Sequence, residues 1–463
     1  MTITKQLAKM VIGLSYDQIS EEVVDRTKYL ALDYVGLSSR GNTFESSESI
    51  LFTIAGLAKE GKSTVVGQGS LSIQPHYAAL ANGAAAHSLE LDDVINDASL
   101  HPAVVVFPTA FAVGEELGKS GQEVITASVA GYEVMGQLGK ALNPINIYAR
   151  GFHPTGVVGA FAAVATAGKL MDLTEEQLVN AFGIAGSQAA ASMEFLNTGS
   201  WTKRLHPGWA AHNGIIACEL AKNGFTGPES ILEGDKGFAQ SYSSDFDPTK
   251  YSIGTYSNES NAILKTSIKP HACCRYKQGP LDIILNYVKE NNIQAKDIKK
   301  IDIHLVKTAM PIVCHPEIEK RSPQSSVDAQ FSMHFGAAVA VVYRNTLLEQ
   351  YTDEITQEPE VREMMSKVFC HHDPELDKEF PQKWPARVII ETISERIEKE
   401  VEFPKGDPEN PLTWEELIEK FNYVSKPIFN YNEQQQLVEA VRNLEKMSTI
   451  NEISQLFKGG VNV

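Results

Sequence analysis

The feature that most constrains this fold is a set of long segments that are apolar around nearly their whole circumference. These segments are rich in alanine and glycine: residues 103–117, 121–142, 157–171 and 175–191. A helix with apolar residues on every side belongs in a protein interior, and small side chains let neighbouring helices approach closely. Together with the helical spacing of residues 24–37, they predict a large all-helical domain whose alanine runs serve packing.

The pattern changes after Thr266. Three segments alternate like strands, and the last two are spaced like a hairpin: residues 302–306, 386–392 and 395–401. Two helical patterns lie between the strands, at residues 280–291 and 335–343. Thr413 then opens a capping box that starts a closing helix. We predict a mainly α fold with two domains: a helical domain of residues 1–265, completed by 403–463, and a smaller α+β lid domain of residues 266–402.

The chain is acidic, with 41 Lys and Arg against 58 Asp and Glu and a net charge of −17. This balance argues against a broad basic face that neutralises phosphates, so we expect no nucleic-acid partner. Clustered cations in a cleft can still bind an anionic substrate. The five cysteines lack the spacing of a disulfide framework, and no apolar stretch approaches the roughly 20 residues that cross a bilayer. With no signal-peptide pattern, we expect a cytoplasmic protein and no membrane partner.

Residues 56–63 match the phosphate-loop expression G-x-x-x-x-G-K-S. A phosphate loop needs a strand before it and a helix after it, so that backbone N–H groups face the phosphate. Here the predicted order is reversed, because residues 49–60 have a helical pattern, Gly61 fits a C-terminal cap, and residues 63–66 resemble a short strand. We therefore expect no nucleotide site here.

Four polar clusters interrupt otherwise packable sequence: residues 87–93 with His101, residues 150–156, residues 193–209 and residues 267–276. The first suits acid–base catalysis or metal binding, and the second presents His153 in a turn before a helix. The third places Lys203 between two helical stretches, where a cation can capture a carboxylate. The fourth lies at the predicted domain boundary, a favoured position for ligands. Each of the first three also fits a structural role, as a capped helix end, a buried turn or a solvated basic turn.

No metal site is predicted. Cys273 and Cys274 are adjacent and lack the two-residue spacing of zinc and iron–sulfur motifs. His371 and His372 follow Cys370, but this weak metal signal fits a surface segment better. The sequence therefore argues against an iron–sulfur hydratase.

These clusters resemble the MmgE/PrpD family. The resemblance runs in order over nearly the whole chain. It rests on the opening residues 7–39 and on six motifs: Glu90-Leu-Asp-Asp93 with His101-Pro102, Gly151-Phe-His-Pro154, Thr202-Lys-Arg-Leu-His-Pro-Gly208, Ile268-Lys-Pro270 with Cys274-Arg-Tyr276, Ala329-Gln-Phe-Ser332 and Gly406-Asp-Pro-Glu-Asn-Pro411. Members include 2-methylcitrate dehydratase, cis-aconitate decarboxylase and iminodisuccinate epimerase. The resemblance implies a cofactor-independent enzyme for a small polycarboxylate, with a helical domain and an α+β lid, usually as a homodimer.

The resemblance also implies roles for individual residues. His101 and His153 match the active-site histidines, and Asp93 is expected to orient one of them. Lys203 and Lys269 match the family's substrate-binding lysines. Asp92 lies in its acidic motif, and we expect Asp92 and Arg275 to help bind substrate.

Three positions depart from the family pattern. The leading acidic residue is Glu90 rather than Asp, Val94 replaces a Thr or Ser, and Phe335 stands where the decarboxylase usually has Tyr. The loss of two hydroxyls weakens the resemblance to cis-aconitate decarboxylase and to standard methylcitrate dehydratase.

The mechanism expected from these residues begins at a carbon next to a carboxylate. Fixed cations must stabilise the charge that develops there, and a histidine can move the proton. Loss of water then gives a dehydratase, reprotonation from the other face gives an epimerase, and a decarboxylase loses CO2 instead. We favour a dehydratase-type lyase over an epimerase, with a decarboxylase third. The rivals are a non-catalytic polycarboxylate-binding protein, which would not need both histidines, and a metal-dependent hydratase.

Overall fold

Helices dominate the first half of the chain. The computed structural model describes residues 2–248, 252–259 and 261–459. The helices of the first 250 residues are α1 (Ile3–Gly13), α2 (Glu21–Gly41), α3 (Glu45–Ala55), α4 (Pro75–His87), α5 (Ala103–Leu117), α6 (Gly121–Leu142), α7 (Pro144–Ala149), α8 (Pro154–Leu170), α9 (Glu175–Gly186), α10 (Thr202–Lys222) and α11 (Phe238–Tyr242). Helices α5 and α6 begin and end at the predicted residues, while α9 ends at Gly186, before the predicted residue 191.

The interior of this region is built by close helix packing. Helix α10 lies against α4 and α8, and α8 also lies against α6. Small residues permit this approach, since a Cβ on Gly208 would lie 2.2 Å from the backbone oxygen of Leu80. The alanines of α8, such as Ala160 and Ala163, are fully buried. The packing role predicted for the alanine runs is confirmed.

Two short strand pairs connect these helices. Strands β1 (Glu60–Thr64) and β2 (Ser72–Ile73) pair with each other, as do β3 (Val94–Ile95) and β4 (Thr266–Ser267). The predicted cap at Gly61 is wrong, because α3 already ends at Ala55 with Gly56 as its cap, and Gly61 lies in β1. The order of helix before strand is nevertheless the reverse of a phosphate loop.

The later part of the chain contains the larger sheet. Its strands are β5 (Ile298–Leu305), β6 (Val368–His372), β7 (Ala386–Thr392) and β8 (Arg396–Val401), in the order β6-β5-β7-β8. Strand β5 is parallel to β6 and antiparallel to β7, which forms the predicted hairpin with β8. The helices of this region are α12 (Gln278–Glu290), α13 (Glu317–Lys320), α14 (Ser326–Gln330), α15 (Met333–Val342) and α16 (Pro359–Ser366).

The last helices return to the first half of the chain. They are α17 (Trp414–Ser425), α18 (Tyr431–Arg442) and α19 (Asn451–Phe457). Thr413 and Glu416 form the predicted capping box of α17. Helices α17 and α18 pack on α2, where a Cβ on Gly36 would lie 2.9 Å from the ring of Phe421. The predicted fold class, mainly α with a smaller α+β region, is therefore confirmed.

Two helices that position functional side chains were not predicted as such. Helix α4 carries His87 at its last position, and α10 contains Lys203 in its first turn. The prediction that Lys203 lies between helices is wrong, because the helix begins at Thr202 and continues through Pro207. Across the described ranges, no helix combines the length and apolarity needed to cross a membrane.

Candidate active site

The loop between α4 and α5 forms one wall of a buried site. It follows His87 and ends at His101 and Pro102, directly before α5. The β3–β4 pairing fixes this loop beside the segment that carries Lys269. Within the loop, Glu90 has a φ of 55°, in the left-handed region that residues with a Cβ rarely adopt. Such strain persists where surrounding contacts enforce it, and it often marks a functional site.

Asp92 is the anionic centre of the site. Its fully buried carboxylate contacts His87 Nδ1 at 2.7 Å, His101 Nδ1 at 3.3 Å and Lys269 Nζ at 3.0 Å. Burial alone would raise the pKa of Asp92, but Lys269 and the neighbouring imidazoles of His87 and His101 outweigh it and hold the pKa well below its ordinary value. Asp92 therefore remains ionised and links two imidazoles to one cation.

Asp93 is held differently. Its carboxyl accepts hydrogen bonds from the Tyr132 hydroxyl at 2.8 Å and from the Ala103 N–H at 3.0 Å. Burial raises the pKa of Asp93 to about 8, despite these donors. Asp93 was expected to orient a histidine, and it contacts His101 through its backbone carbonyl, 2.6 Å from Nδ1. The carboxylate that faces the imidazoles is that of Asp92.

The tautomer of His101 follows from this contact. A carbonyl oxygen can only accept a hydrogen bond, so Nδ1 of His101 carries the proton and donates to Asp93. Burial lowers the pKa of His101 to about 3, against the opposing charge of Asp92. The ring is therefore neutral, and its Nε2 is left as a basic lone pair.

Glu90 lies between the two predicted substrate-binding lysines. It forms a buried ion pair with Lys203, and its second carboxylate oxygen is 3.7 Å from Lys269 Nζ. Burial would raise the pKa of Glu90, but Lys203 and Lys269 lower it to about 2. Lys203 Nζ also lies 4.8 Å from the ring centre of Phe331. Both lysines are thus already paired with carboxylates of the protein.

His153 is positioned by the start of α8. It is the N-cap residue of that helix, and its backbone N–H donates to the Ala191 oxygen at 2.9 Å. Its ring centre lies 5.6 Å from that of His87 and 6.1 Å from that of His101. On the other side, Nδ1 of His153 is 3.2 Å from Nδ1 of His206. Burial and the neighbouring His206 hold the pKa of His153 well below its ordinary value.

Arg275 is fixed at the opposite wall. Its Nη2 is 2.6 Å from the Asp407 carboxylate, its Nε donates to Asn96 at 3.0 Å, and its guanidinium lies 5.0 Å from the Trp384 ring centre. Asp407 belongs to the Gly406–Pro411 motif, so two motifs that are distant in sequence meet here.

A small closed cavity lies between these groups. Its volume of about 30 Å³ leaves room for about one water molecule. Four of the predicted site residues line it: His101, His153, Lys203 and Arg275. The three others, Lys269, Asp92 and Asp93, lie behind this wall and contact the lining residues.

Several lining residues were not assigned a role from the sequence. They include Glu90, Ser99, Tyr148, Cys274 and Tyr276. The Tyr148 hydroxyl is 2.9 Å from Ser99 Oγ, while the Tyr276 hydroxyl is buried and has no hydrogen-bond partner among the described residues. Cys274 and Tyr276 fall inside a motif already singled out, but Ser99 and Tyr148 lie between motifs and gave no signal.

The two departures that remove a hydroxyl, Val94 and Phe335, have different positions. Val94 lines the cavity, so the hydroxyl of the Thr or Ser usual at this position is missing from the wall. Phe335 is not among the lining residues; its ring packs 5.6 Å from that of Tyr351. The side chain at the wall is Phe331, in the short segment between α14 and α15.

Paired imidazoles, a lysine and an ionised carboxylate around a closed cavity have the composition of an acid–base catalytic site. Comparison with known proteins identifies the family. The MmgE/PrpD N-terminal domain matches residues 5–250, and the MmgE/PrpD C-terminal domain matches residues 271–446. The chain belongs to the MmgE/PrpD family.

The curated relatives of the chain are lyases. Cis-aconitate decarboxylase of Aspergillus terreus is 28% identical over 480 residues, covering 98% of this chain and 95% of the relative. Human cis-aconitate decarboxylase is 28% identical over 477 residues, covering 99% and 95%. The 2-methylcitrate dehydratase of Salmonella typhimurium is 22% identical over 481 residues, covering 96% and 95%. These full-length relations identify the chain as an enzyme of this lyase family.

Proposed function

We propose that the protein is a cofactor-independent lyase that forms a carbanion next to a carboxylate of a small di- or tricarboxylate. The observation that carries this proposal is that His101, His153 and Lys203 line one closed cavity. A carbanion is stabilised by fixed cations and is protected when bulk water is excluded. The lining residues supply the cation and the proton-transfer groups together.

Substrate binding requires a rearrangement of the ion pairs. Lys203, Lys269 and Arg275 are each paired with a protein carboxylate in the closed state. Lys203 lines the cavity and Lys269 does not, so a substrate carboxylate would reach Lys203 first and compete there with Glu90. Charge-assisted hydrogen bonds from Lys203, with Arg275 at the opposite wall, would hold two carboxylates.

The proton-transfer roles follow from the hydrogen bonds. His101 presents the free Nε2 of a neutral ring, because its Nδ1 donates to the Asp93 carbonyl. That ring would act as the base where a substrate proton is removed, as in dehydration or epimerisation, whereas decarboxylation needs only the acid. His153, whose Nδ1 is engaged by His206, would act as the acid that protonates the carbanion. Asp92 would stabilise positive charge on His101 during the transfer.

Decarboxylation is the reaction that the relatives favour. The full-length matches to cis-aconitate decarboxylases are closer in identity than the match to 2-methylcitrate dehydratase. Phe335, one of the two positions that weighed against a decarboxylase, packs away from the cavity wall. We therefore place decarboxylation of an unsaturated tricarboxylate first. Dehydration of a hydroxy-tricarboxylate is second, since the 2-methylcitrate dehydratase is 22% identical to this chain against 28% for the decarboxylases.

The α+β region would act as a lid over this site. The cavity walls combine Arg275 and Trp384 of that region with His101 and His153 of the helical region. A space of about 30 Å³ cannot hold a tricarboxylate, so substrate entry requires the two regions to separate. A homodimer in the cytoplasm remains our expectation for the assembled enzyme.

Proton NMR in D2O tests the proposal. The purified enzyme is incubated with cis-aconitate, methylcitrate, citrate, iminodisuccinate and substituted succinates, alongside Lys203→Ala and His153→Ala. We expect release of CO2 or an alkene product, with turnover at least about 100-fold lower in both variants. Lys222→Ala, at the exposed end of the same helix as Lys203, is the matched control and should retain activity. Full activity in both site variants would refute the site, and exchange with inverted configuration would identify an epimerase instead.

A further inference from the structure

His206 connects the closed cavity to the surface. It lies in α10, half-buried, and lines an open groove of about 550 Å³ together with Leu205 and Trp209. Phe195 lines both the groove and the closed cavity and so separates them. His206 is not a lining residue of the cavity, and none of the roles above uses it.

His153 has no direct route to bulk water in the closed state. Its side chain is only 2% exposed, and the cavity it faces has room for about one water molecule. A neutral imidazole that donates its Nε2 proton to a carbanion becomes an anion unless its Nδ1 gains a proton at the same time. The ring of His206, whose Nδ1 lies 3.2 Å from Nδ1 of His153, is the polar group between His153 and the groove.

We propose that His206 is a relay residue that passes a groove proton to Nδ1 of His153 as His153 gives up its Nε2 proton, so that the His153 ring stays neutral while the cavity is closed; the inference rests on the proposed function. When His153 gives the proton on Nε2 to the carbanion, the proton on Nδ1 of His206 moves to Nδ1 of His153. Nε2 of His206 then takes a proton from groove water. The pair is reset as the cavity opens. The proton on Nδ1 of His153 returns to Nδ1 of His206, His206 loses its Nε2 proton to the groove, and Nε2 of His153 takes a new proton from solvent.

The surroundings keep this pair neutral, as such a relay requires. Burial lowers the pKa of His206 to about 3, and burial with His206 nearby lowers the pKa of His153 well below its ordinary value. Protons therefore move between neutral tautomers rather than residing on an imidazolium. A purely positioning role would need only the hydrogen bond to Nδ1 of His153.

The substitution His206→Asn separates relay from positioning. The side-chain amide of asparagine can occupy the place of Nδ1 and keep a hydrogen bond to His153, but it cannot pass a proton through a ring. His212→Asn, on the same helix and stacked on Trp209 away from the cavity, is the matched control. His206→Ala leaves a space beside the groove that free imidazole can enter.

The first measurement is imidazole 15N NMR of the resting protein, which needs no substrate. We expect the nitrogens of His153 to exchange between tautomers in the wild type and to be fixed in one tautomer in His206→Asn. Identical His153 signals in both proteins would overturn the relay. Absence of turnover across the carboxylate panel would sink the proposed function but leave this NMR test valid.

The second measurement is kinetic. We expect turnover of His206→Asn to fall by about 10- to 100-fold with little change in KM, and imidazole to restore part of the activity of His206→Ala. His212→Asn should match the wild type. Wild-type turnover in His206→Asn, or a loss confined to KM, would show that His206 only positions its neighbour.

Discussion

Replacing Glu90 with glutamine tests whether the protein's own carboxylate competes with the substrate for Lys203. Glu90 is 4% exposed and forms ion pairs with Lys203 and Lys269. The variant keeps nearly the same shape but removes one negative charge. It also leaves Lys203 buried beside Phe331 without its ionic partner. We expect Glu90→Gln to lower the stability of the free protein and to tighten the binding of polycarboxylates.

The size of the effect follows from the pKa of Glu90. The fall in its pKa from 4.5 to about 2 corresponds to about 3 kcal/mol, at about 1.36 kcal/mol for each pKa unit. This is the order of the free energy that an incoming carboxylate must replace when it displaces Glu90. If the whole of this free energy became available to the ligand, the dissociation constant would fall by about 100-fold. We therefore expect Glu90→Gln to lower the dissociation constant by between about tenfold and about 100-fold.

Calorimetric titration and thermal unfolding measure the two parts of this prediction. A non-reactive tricarboxylate is titrated into wild type, Glu90→Gln and the control Glu133→Gln, which removes a buried carboxylate outside the site. Ligand should raise the unfolding temperature of Glu90→Gln by more than that of the wild type, because it supplies the missing charge. Glu133→Gln should bind the ligand like the wild type.

Two results would refute the reasoning. Equal or weaker binding by Glu90→Gln would mean that Glu90 holds Lys203 in its binding position rather than competing for it. Tighter binding with no loss of stability in the free variant would mean that Lys203 does not depend on Glu90.

Three further outcomes test the packing and the buried carboxyls. Gly208→Ala should lower the free energy of unfolding, measured with denaturant, by about 1–3 kcal/mol, because the new Cβ would lie 2.2 Å from a backbone oxygen of α4. The control Gly13→Ala places its Cβ in open space and should leave the free energy of unfolding nearly unchanged. Burial raises the pKa of Glu115 to about 7, so the folded state holds the carboxyl proton more tightly than the unfolded chain does. The free energy of unfolding therefore falls as the pH rises from about 4.5 to about 7. Urea unfolding at about pH 5 and about pH 8 should show a smaller difference for Glu115→Gln than for the wild type. Tyr132→Phe removes a hydrogen-bond donor to Asp93 and should lower the free energy of unfolding by about 1–2 kcal/mol. It should also raise the pKa of Asp93 further, which a carboxyl 13C titration measures; an unchanged titration would contradict this prediction.

Helix identity was predictable where one physical signal dominated. Helices α5 and α6 have the predicted ends, and their C-caps, Gly118 and Asn143, adopt a positive φ that stops each helix. The start of α10 was missed because Lys203 and Pro207 look like a polar turn in sequence. In the structure, tertiary packing of Gly208 on α4 holds that turn helical, a contact that local sequence cannot reveal.

The site shows the same division. The motifs named most of the residues that meet around the cavity, because each motif combines charge or imidazole with otherwise packable sequence. The pairing among them was not predictable. Asp92, expected to bind substrate, contacts two histidines, while Asp93 presents a backbone carbonyl to His101. One residue of difference along the loop decides which side chain faces inward, and the left-handed φ of Glu90 helps to set that direction.

The ion pairs assign different roles to the two lysines. Lys269 is 1% exposed and is tied to Asp92, which also holds His87 and His101, so moving it would disturb the whole imidazole cluster. Lys203 lines the cavity and depends mainly on Glu90, a residue on a strained loop. Exchange of Glu90 for a substrate carboxylate therefore disrupts the fewest contacts. We infer that Lys203 recruits the substrate, while Lys269 keeps Asp92 ionised and the histidines in place.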